Sequence, residues 1–447
     1  MDDDDDDDDT IATSKELGAP VAVGRIFRIV RERGPLLASE IVRFTGLAKS
    51  TVSVNLDRLL EAGLVREVTG AGSKRRKLEI AESAGFVLGV DLGQTHLAVG
   101  LCNLRTELLE RARVPLLLRH ETPESVLDRT STMVGKLMTR ARVDQRRLLG
   151  IAVGVPGPVD YARGIPVSPP VMPGWDHFPV TSHLAKRFGC PVFLDNDVNV
   201  MALAERDRGA AQDVDDFMFV KIGTGIGCGL VVRGEIYRGA KGAAGDIGHI
   251  GLDGEDIVCR CGNRGCLEAV AGGVGLEAIA EAAASDGRST FLAQRAQRGE
   301  PLDAAALALG ATAGDECCNA VLMESGRRVG DVLAKLINFL NPSLIVVGGG
   351  VALVGERYIA SIREAVYRRS TPLATSDLAV KKSILGEDGG VIGAAVLVLD
   401  EIFSHRNLSK LVGRGVQQAR PDAAVAQSAP RSRRPRSRRA ARGARRR

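Results

Sequence analysis

VLGVDLGQTHLAVGLCN, residues 87–103, is the stretch on which the reading of the chain turns. Apolar residues run up to Asp91, a glycine follows at 93, and a second apolar run begins at Leu97, so the segment predicts a strand, a tight turn and a second strand. Glycines 89 and 93 with Thr95 offer backbone N–H groups to a phosphate, and Asp91 offers a carboxylate to a metal ion. KIGTGIGCGLVVRGEIYRG, residues 221–239, repeats the pattern with Gly223, Thr224, Gly225 and Gly227. LNPSLIVVGGGVA, residues 340–352, ends a strand in Gly348–Gly350, where a purine could lie against bare backbone. One such loop is a common β-turn. Three in this order point to an α/β nucleotide-binding protein.

The surrounding 447 residues fit that class. The composition is globular, with 45% hydrophobic and 26% charged residues and a formal net charge of +5. That charge is distorted by the two ends: Asp2–Asp9 is an unbroken run of eight acids, and the last seventeen residues hold ten arginines and no acid. The body between them is close to neutral, so any affinity for nucleic acid must come from a local patch or the basic end. Residues 1–19 and 417–447 are expected to be disordered. No apolar stretch approaches the roughly 20 residues needed to span a bilayer, and acids stand where a secretory signal needs a basic start. The chain is therefore expected to be cytoplasmic and to have no membrane partner.

Residues 20–82 have a different texture. Val21–Arg33 reads as a helix with Val23, Ile26, Phe27 and Val30 on one face, and Ser39 is placed to cap a second helix. Gly46 makes a turn into a third, Ala48–Ala62, whose Val52, Leu56, Leu59 and Leu60 face inward. Lys49, Ser50, Thr51, Ser53 and Asn55 are then left for a ligand. A hairpin follows, with Lys74, Arg75 and Arg76 at its tip. This is a winged helix-turn-helix: polar side chains at the start of a recognition helix reach base edges, and the basic tip meets phosphates.

His249, Cys259, Cys261 and Cys266 give the pattern H-x9-C-x-C-x4-C, with Gly262 and Gly265 permitting tight turns. Three thiolates and an imidazole form the ligand set of a closed, structural Zn2+ site with no position left for water. In a second cluster, PVFLDNDVNVMALAE (residues 191–205), a strand runs into Asp195-Asn196-Asp197 and then a helix. A carboxylate there suits a general base, while an Asp or Asn at the same place would equally suit helix capping.

Taken together, residues 86–403 resemble the ROK family of bacterial sugar kinases and sugar-responsive repressors. The winged helix in front makes the whole similar to the family's transcriptional regulators. The resemblance implies an α/β, two-lobed actin-like ATPase fold of the sugar kinase and Hsp70 type. Its first lobe spans residues 86–200 and is completed by 385–403, and its second spans 201–384. It further implies Asp197 as catalytic base and Asn196 as a sugar ligand, with Gly157 in a loop over the sugar. Asp246, His249 and Glu268 fill the remaining sugar positions, Asp246 standing where the family usually has a glutamate. The zinc motif is similar to the family's as well.

Kinase members of the family generally carry Gly-Gly-Thr-Lys in the first loop, where this chain has Gly93-Gln94-Thr95-His96. Glutamine crowds the close backbone approach a phosphate needs and disfavours positive φ. Histidine replaces a fixed cation with a side chain that is largely neutral at physiological pH. The expectation is a sugar-binding regulator of operator DNA, a homodimer or homotetramer. The alternative is an ATP- and Mg2+-dependent sugar kinase, glucokinase-like or acting on an N-acetylhexosamine, with or without the DNA function.

Overall fold

A computed structural model describes residues 14–69, 75–81 and 84–404, with side chains from Ala22 onward. The acidic run, the basic end and Lys74 lie outside the described residues.

The head is three helices and a hairpin: α1 (Ser14–Arg33), α2 (Ala38–Thr45), α3 (Lys49–Glu61), and β1 (Val65–Thr69) antiparallel to β2 (Arg76–Ile80). Gly46, at φ 66°, turns the chain from α2 toward α3 in a conformation that a side chain would strain. Val23, Ile26, Phe27 and Val30 of α1 are buried against Val52, Leu56 and Leu59 of α3, as their spacing predicts. Ser39 does not cap α2. The helix opens at Leu37, whose N–H donates to the Glu40 carboxylate at 2.8 Å, so the acid three positions on serves as the cap.

The body contains two five-stranded sheets of the same design. In the first, β3 (Phe86–Leu92), β4 (His96–Asn103) and β5 (Leu108–Pro115) form an antiparallel meander. Helix α4 (Pro123–Ala141) leads to β6 (Leu148–Val155), which joins β3 in parallel. A two-residue hairpin, β7 (Val159–Asp160) and β8 (Ile165–Pro166), and helix α5 (Val180–Phe188) precede β9 (Val192–Asn196), parallel to β6. Helix α6 (Asp197–Arg208) crosses to the second sheet. There β10 (Phe217–Ile222), β11 (Ile226–Val232) and β12 (Glu235–Ile236) repeat the meander. A helical layer follows: α7 (Leu267–Ala271), α8 (Gly273–Ser285), α9 (Thr290–Gln297), α10 (Ala304–Thr312) and α11 (Glu316–Leu340). Then β13 (Leu344–Gly348) pairs in parallel with β10, and after α12 (Glu356–Arg369) and α13 (Pro372–Thr375), β14 (Ala379–Lys382) extends the sheet. The last helix, α14 (Gly389–Ile402), returns to the first sheet. A three-strand meander followed by parallel strands, made twice, is the duplicated topology of the two-lobed actin-like fold. The parallel strands read as near-continuous apolar runs because helices cover both faces.

Two helices place the head relative to the sheets. α6 and α14 cross where Gly393 meets Val200, and a Cβ on Gly393 would stand 1.8 Å from the Val200 carbonyl oxygen. Their C-terminal ends meet α1 of the head. Arg31 pairs with Asp207 at 2.5 Å, Phe27 stacks on Phe403, and Arg28 lies 3.2 Å from Glu235 and 3.9 Å from Asp400. The head core and α14 thus form one continuous apolar cluster. Helix α11 is mostly core: Val329, Leu333 and Ile337 are buried, while its last residues, Phe339 and Leu340, are exposed.

Candidate functional site

Between the sheets lies a cavity of about 860 Å3, walled by both glycine loops, the end of β9 and the cysteine-rich segment. Gly93, Thr95, Gly157, Asn196, Asp197, Gly223, Thr224, Gly225, Asp246, His249 and Glu268 all reach it. The topology explains the convergence, since equivalent β-hairpin turns and strand ends of the two sheets face one another across the opening.

At the end of β9 the capping and ligand readings are divided among neighbours. Asn196 is the cap of α6, its Oδ1 accepting the Val198 N–H at 3.0 Å, while its Nδ2 donates to the Gly157 carbonyl at 2.8 Å. It therefore holds the loop expected over a sugar. Asp195 is buried, accepts from Asn199 and takes the Arg238 guanidinium at 2.7 Å, which makes it structural. Asp197, also buried, lines the cavity and meets the Lys221 ammonium at 2.5 Å. Burial alone would lower the lysine's pKa, but Asp197 and Asp91 outweigh it and hold the group above its ordinary value.

The first loop differs from expectation in several ways. Gly89 faces no ligand: it lies under α14, where a Cβ would stand 1.9 Å from the Val391 carbonyl oxygen. The Gly93 N–H is used within the turn, donating to the His96 carbonyl at 2.9 Å. Gln94 is not at positive φ, so the strain argument falls away and only its bulk remains. That bulk crosses the cleft: Gln94 Oε1 accepts from Arg260 of the cysteine-rich segment at 3.3 Å. His96 folds back on Gly93 and meets Asp91 through Nε2 at 3.0 Å. Asp91 is buried behind the cavity. Burial would raise its carboxyl, but His96, Lys221 and Arg113 hold it below the usual range. In the third loop, Gly350 and Val351 reach the cavity rather than Gly348 and Gly349. Gly349, at φ 89°, is there because the backbone passes over Ile222. Val171 lines the cavity, whereas Trp175 is fully buried core.

The spacing-based metal ligands are brought together: His249, Cys259, Cys261 and Cys266 place one ligand atom each within 4.8 Å of one another. His249 Nδ1 lies 3.6 Å from Cys259 Sγ, and Cys261 and Cys266 are 3.7 Å apart. A tetrahedron with metal–sulfur bonds of roughly 2.3 Å has edges of about 3.8 Å, so the donor set fits one ion. The other imidazole nitrogen, Nε2, points toward Asp246 at 3.9 Å. Glu268, two residues past Cys266, accepts the Ile226 N–H at 3.0 Å and so ties the second glycine loop to this segment.

On the head, Lys49, Ser50 and Ser53 are exposed, as are Arg75 and Arg76, the latter paired with Glu67 at 2.8 Å. Thr51 is half-buried. Asn55 is a correction: it is buried, and its Nδ2 donates to the Thr51 carbonyl at 2.7 Å. A position three residues beyond Val52 falls on the inward face of a helix. The residue missed is Val54, 52% exposed beside Ser50 and Ser53, which the same helical period places opposite the core. Lys221, Arg113 and Gln94 of the cavity wall were also not assigned ligand roles from sequence.

The ROK family profile matches residues 87–401, and the MarR family profile matches residues 17–76. The xylose repressor of Caldicellulosiruptor bescii is 27% identical over 386 residues, covering 85% of this chain and 95% of its own. The glucokinase of Thermotoga maritima is 32% identical over 320 residues, covering 71% of this chain and 98% of its own. A crystal structure of a ROK family transcriptional regulator, described as a homolog of the E. coli MLC protein, superposes with a TM-score of 0.77 at 26% identity. That superposition covers 89% of this chain and all of the other. The repressor likeness thus extends over the head, and the kinase likeness covers a smaller share of the chain.

Proposed function

The chain belongs to the ROK family, and from that premise we propose that it is a sugar-responsive, DNA-binding transcriptional regulator, a repressor in its simplest form. Operator DNA is its macromolecular partner, a sugar is its effector, and it acts in the cytoplasm as a homodimer or homotetramer. In this reading Asn196, Asp197, Asp246, His249 and Glu268 receive sugar hydroxyls, with Gly157 in the loop above. Lys49, Ser50, Thr51, Ser53 and the wing arginines Arg75 and Arg76 face DNA, joined by Val54, whose methyls suit a thymine methyl. Lys74 belongs to the same expectation.

The observation that carries the reading is the run of α6 and α14. Helix α6 begins at the cleft, at Asp197, and α14 begins behind it, beside Asp91; each ends against α1 of the head. A sugar that shifts one lobe against the other therefore acts on the surface that seats the head. Binding at two linked sites is reciprocal, so a sugar that weakens operator affinity must be weakened by operator to the same factor. Sugar titrations with and without operator DNA test this, and equal sugar affinity in both would sink it.

Zinc at His249, Cys259, Cys261 and Cys266 is structural in this reading, since four protein ligands close the shell. When bound, it would fix the imidazole through Nδ1 and leave Nε2 for the sugar side. A second reading, an ATP- and Mg2+-dependent sugar kinase, is favoured by one observation: Asp197 lies in the same cavity as Thr224 and Gly225 of the second glycine loop. Asp197 would then take the proton of the attacking hydroxyl. Coupled ADP release on a panel of hexoses, N-acetylhexosamines and pentoses, with Asp197→Asn as control, separates the two.

A further inference from the structure

Two carboxylates of the first lobe stand at the inner end of the cleft, Asp197 lining it and Asp91 behind it, both almost fully buried. Asp91 is held on one side by His96, while its Oδ1 is buried without a hydrogen-bond partner. A pair of acids in such a setting needs a cation, because two uncompensated carboxylates out of water are strongly disfavoured. The chain supplies one from the opposite lobe. Lys221, on β10 immediately before the second glycine loop, brings its ammonium to 2.5 Å from Asp197, and its charge also bears on Asp91. The lysine side chain is four-fifths buried, so this is an interior ion pair and not a loose surface contact.

We infer that Lys221 is a built-in replacement for a divalent cation beside Asp197 and the buried Asp91, a fixed ammonium that compensates both carboxylates and leaves Asp197 able to accept a sugar hydroxyl. A hard divalent ion brought to the same carboxylates would meet the ammonium as a like charge at contact distance. The cleft is therefore set to take a sugar without a metal–nucleotide complex. Lys221 also bridges the lobes, β10 in one and Asp197 in the other, so the pair defines a closed state that needs no nucleotide.

This inference rests on the reading above only for the identity of the cleft. Neither DNA nor sugar enters its test, so the two can fail separately. The experiment is a Mn2+ titration of the full, zinc-replete chain followed by electron paramagnetic resonance, which counts free aqueous ion. The acidic run will bind Mn2+ in every variant, so differences between variants are what matter. Lys221→Ala should bind one more Mn2+ per chain than the unaltered protein, and Lys221→Ala with Asp197→Asn should lose that ion. Asp197→Asn alone, with Lys221 present, should leave the count unchanged. This second comparison stands even if Lys221→Ala does not fold. A Mn2+ lost from the Lys221-containing protein on Asp197→Asn would overturn the inference, as would a folded Lys221→Ala variant that gains none.

Discussion

Phe27 in the head and Phe403 at the end of α14 are stacked, with ring centroids 3.7 Å apart and planes 21° from parallel. Gly24 lies against the Phe403 carbonyl, where a Cβ would come within 2.4 Å, so α1 has no freedom to shift inward without moving α14. The stack is thus a rigid joint between the head and a helix that begins beside Asp91, behind the cleft.

Phe403→Leu keeps most of the buried volume and removes the stacking geometry. Such swaps cost under about 1.5 kcal/mol, so the chain should fold and bind sugar as before. The factor by which sugar changes operator affinity should fall roughly fivefold, about 1 kcal/mol. Operator titrations with and without saturating sugar read that factor, and an unchanged factor would remove the joint from the mechanism.

Acid stability follows from Asp400 on α14. Burial would raise its carboxyl, but Arg206, Arg28 and Arg31 outweigh burial and lower it from 3.8 to about 2. A folded-state pKa below the unfolded one means that the unfolded chain binds the proton more tightly. The stabilisation is therefore complete above the unfolded value and disappears as pH falls through the folded one, amounting to about 2 kcal/mol at neutral pH. Thermal midpoints across that acid range should fall more steeply for the unaltered chain than for Asp400→Asn, which should already be less stable at pH 7. Parallel acid limbs would contradict this.

The first loop makes a prediction about ATP. Gln94 fills the space beside Gly225 and contacts Arg260, and His96 occupies the face of Gly93. Gln94→Gly combined with His96→Lys reopens the backbone and restores a fixed cation. Nucleotide affinity should rise by about tenfold, about 1.4 kcal/mol, measured calorimetrically. If the unaltered chain already binds ATP as tightly as the double variant, those two residues are not what closes the site.

Patterns carried by short spacings were legible before the fold was seen. The helix period placed Val23, Ile26, Phe27 and Val30 correctly, and H-x9-C-x-C-x4-C assembled four ligand atoms around one point. What escaped were relations across the fold. Lys221 reads as an ordinary strand residue until β10 is set opposite β9, and Gln94 reads as a spoiled phosphate loop until Arg260 arrives from a segment some 165 residues away. Gly89 and Gly349 resembled ligand-facing glycines because a missing side chain signals close approach without saying to what. Here the neighbours are α14 and Ile222. Asn55 was a local error, since the helix period that buries Val52 and Leu59 extends the inward face to Asn55 beside them.

The same helix separates two kinds of variant. Lys49→Ala should weaken operator binding across sequences and reduce the salt slope by about one, as for a lost phosphate contact. Asn55→Ala should leave the affinity of folded protein unchanged and cost the head about 1 kcal/mol through the lost bond to Thr51. Fluorescence anisotropy over a range of salt, beside thermal melts, distinguishes them. Specific loss of operator affinity in Asn55→Ala would return that residue to the DNA surface.

The cysteine-rich segment and the proposed sugar pocket share residues, and a metal held there predicts that its removal acts on sugar binding. His249 offers Nδ1 to the thiols and Nε2 to the side of Asp246, Cys261 itself lines the cavity, and Glu268 ties the segment to the second glycine loop. Without an ion, the imidazole keeps only a long contact to Asp246 and a weak one to Cys259, and the turn at Gly262 is left to its backbone hydrogen bonds alone. Chelation, or Cys261→Ser, should therefore lower sugar affinity about tenfold, about 1.4 kcal/mol, while the strands and helices of both lobes persist by circular dichroism. Re-addition of zinc should restore the chelated protein but not Cys261→Ser. Unchanged sugar affinity in chelated, folded protein would mean that the metal only braces the surface loop, and that His249 is oriented for the sugar by Asp246 alone.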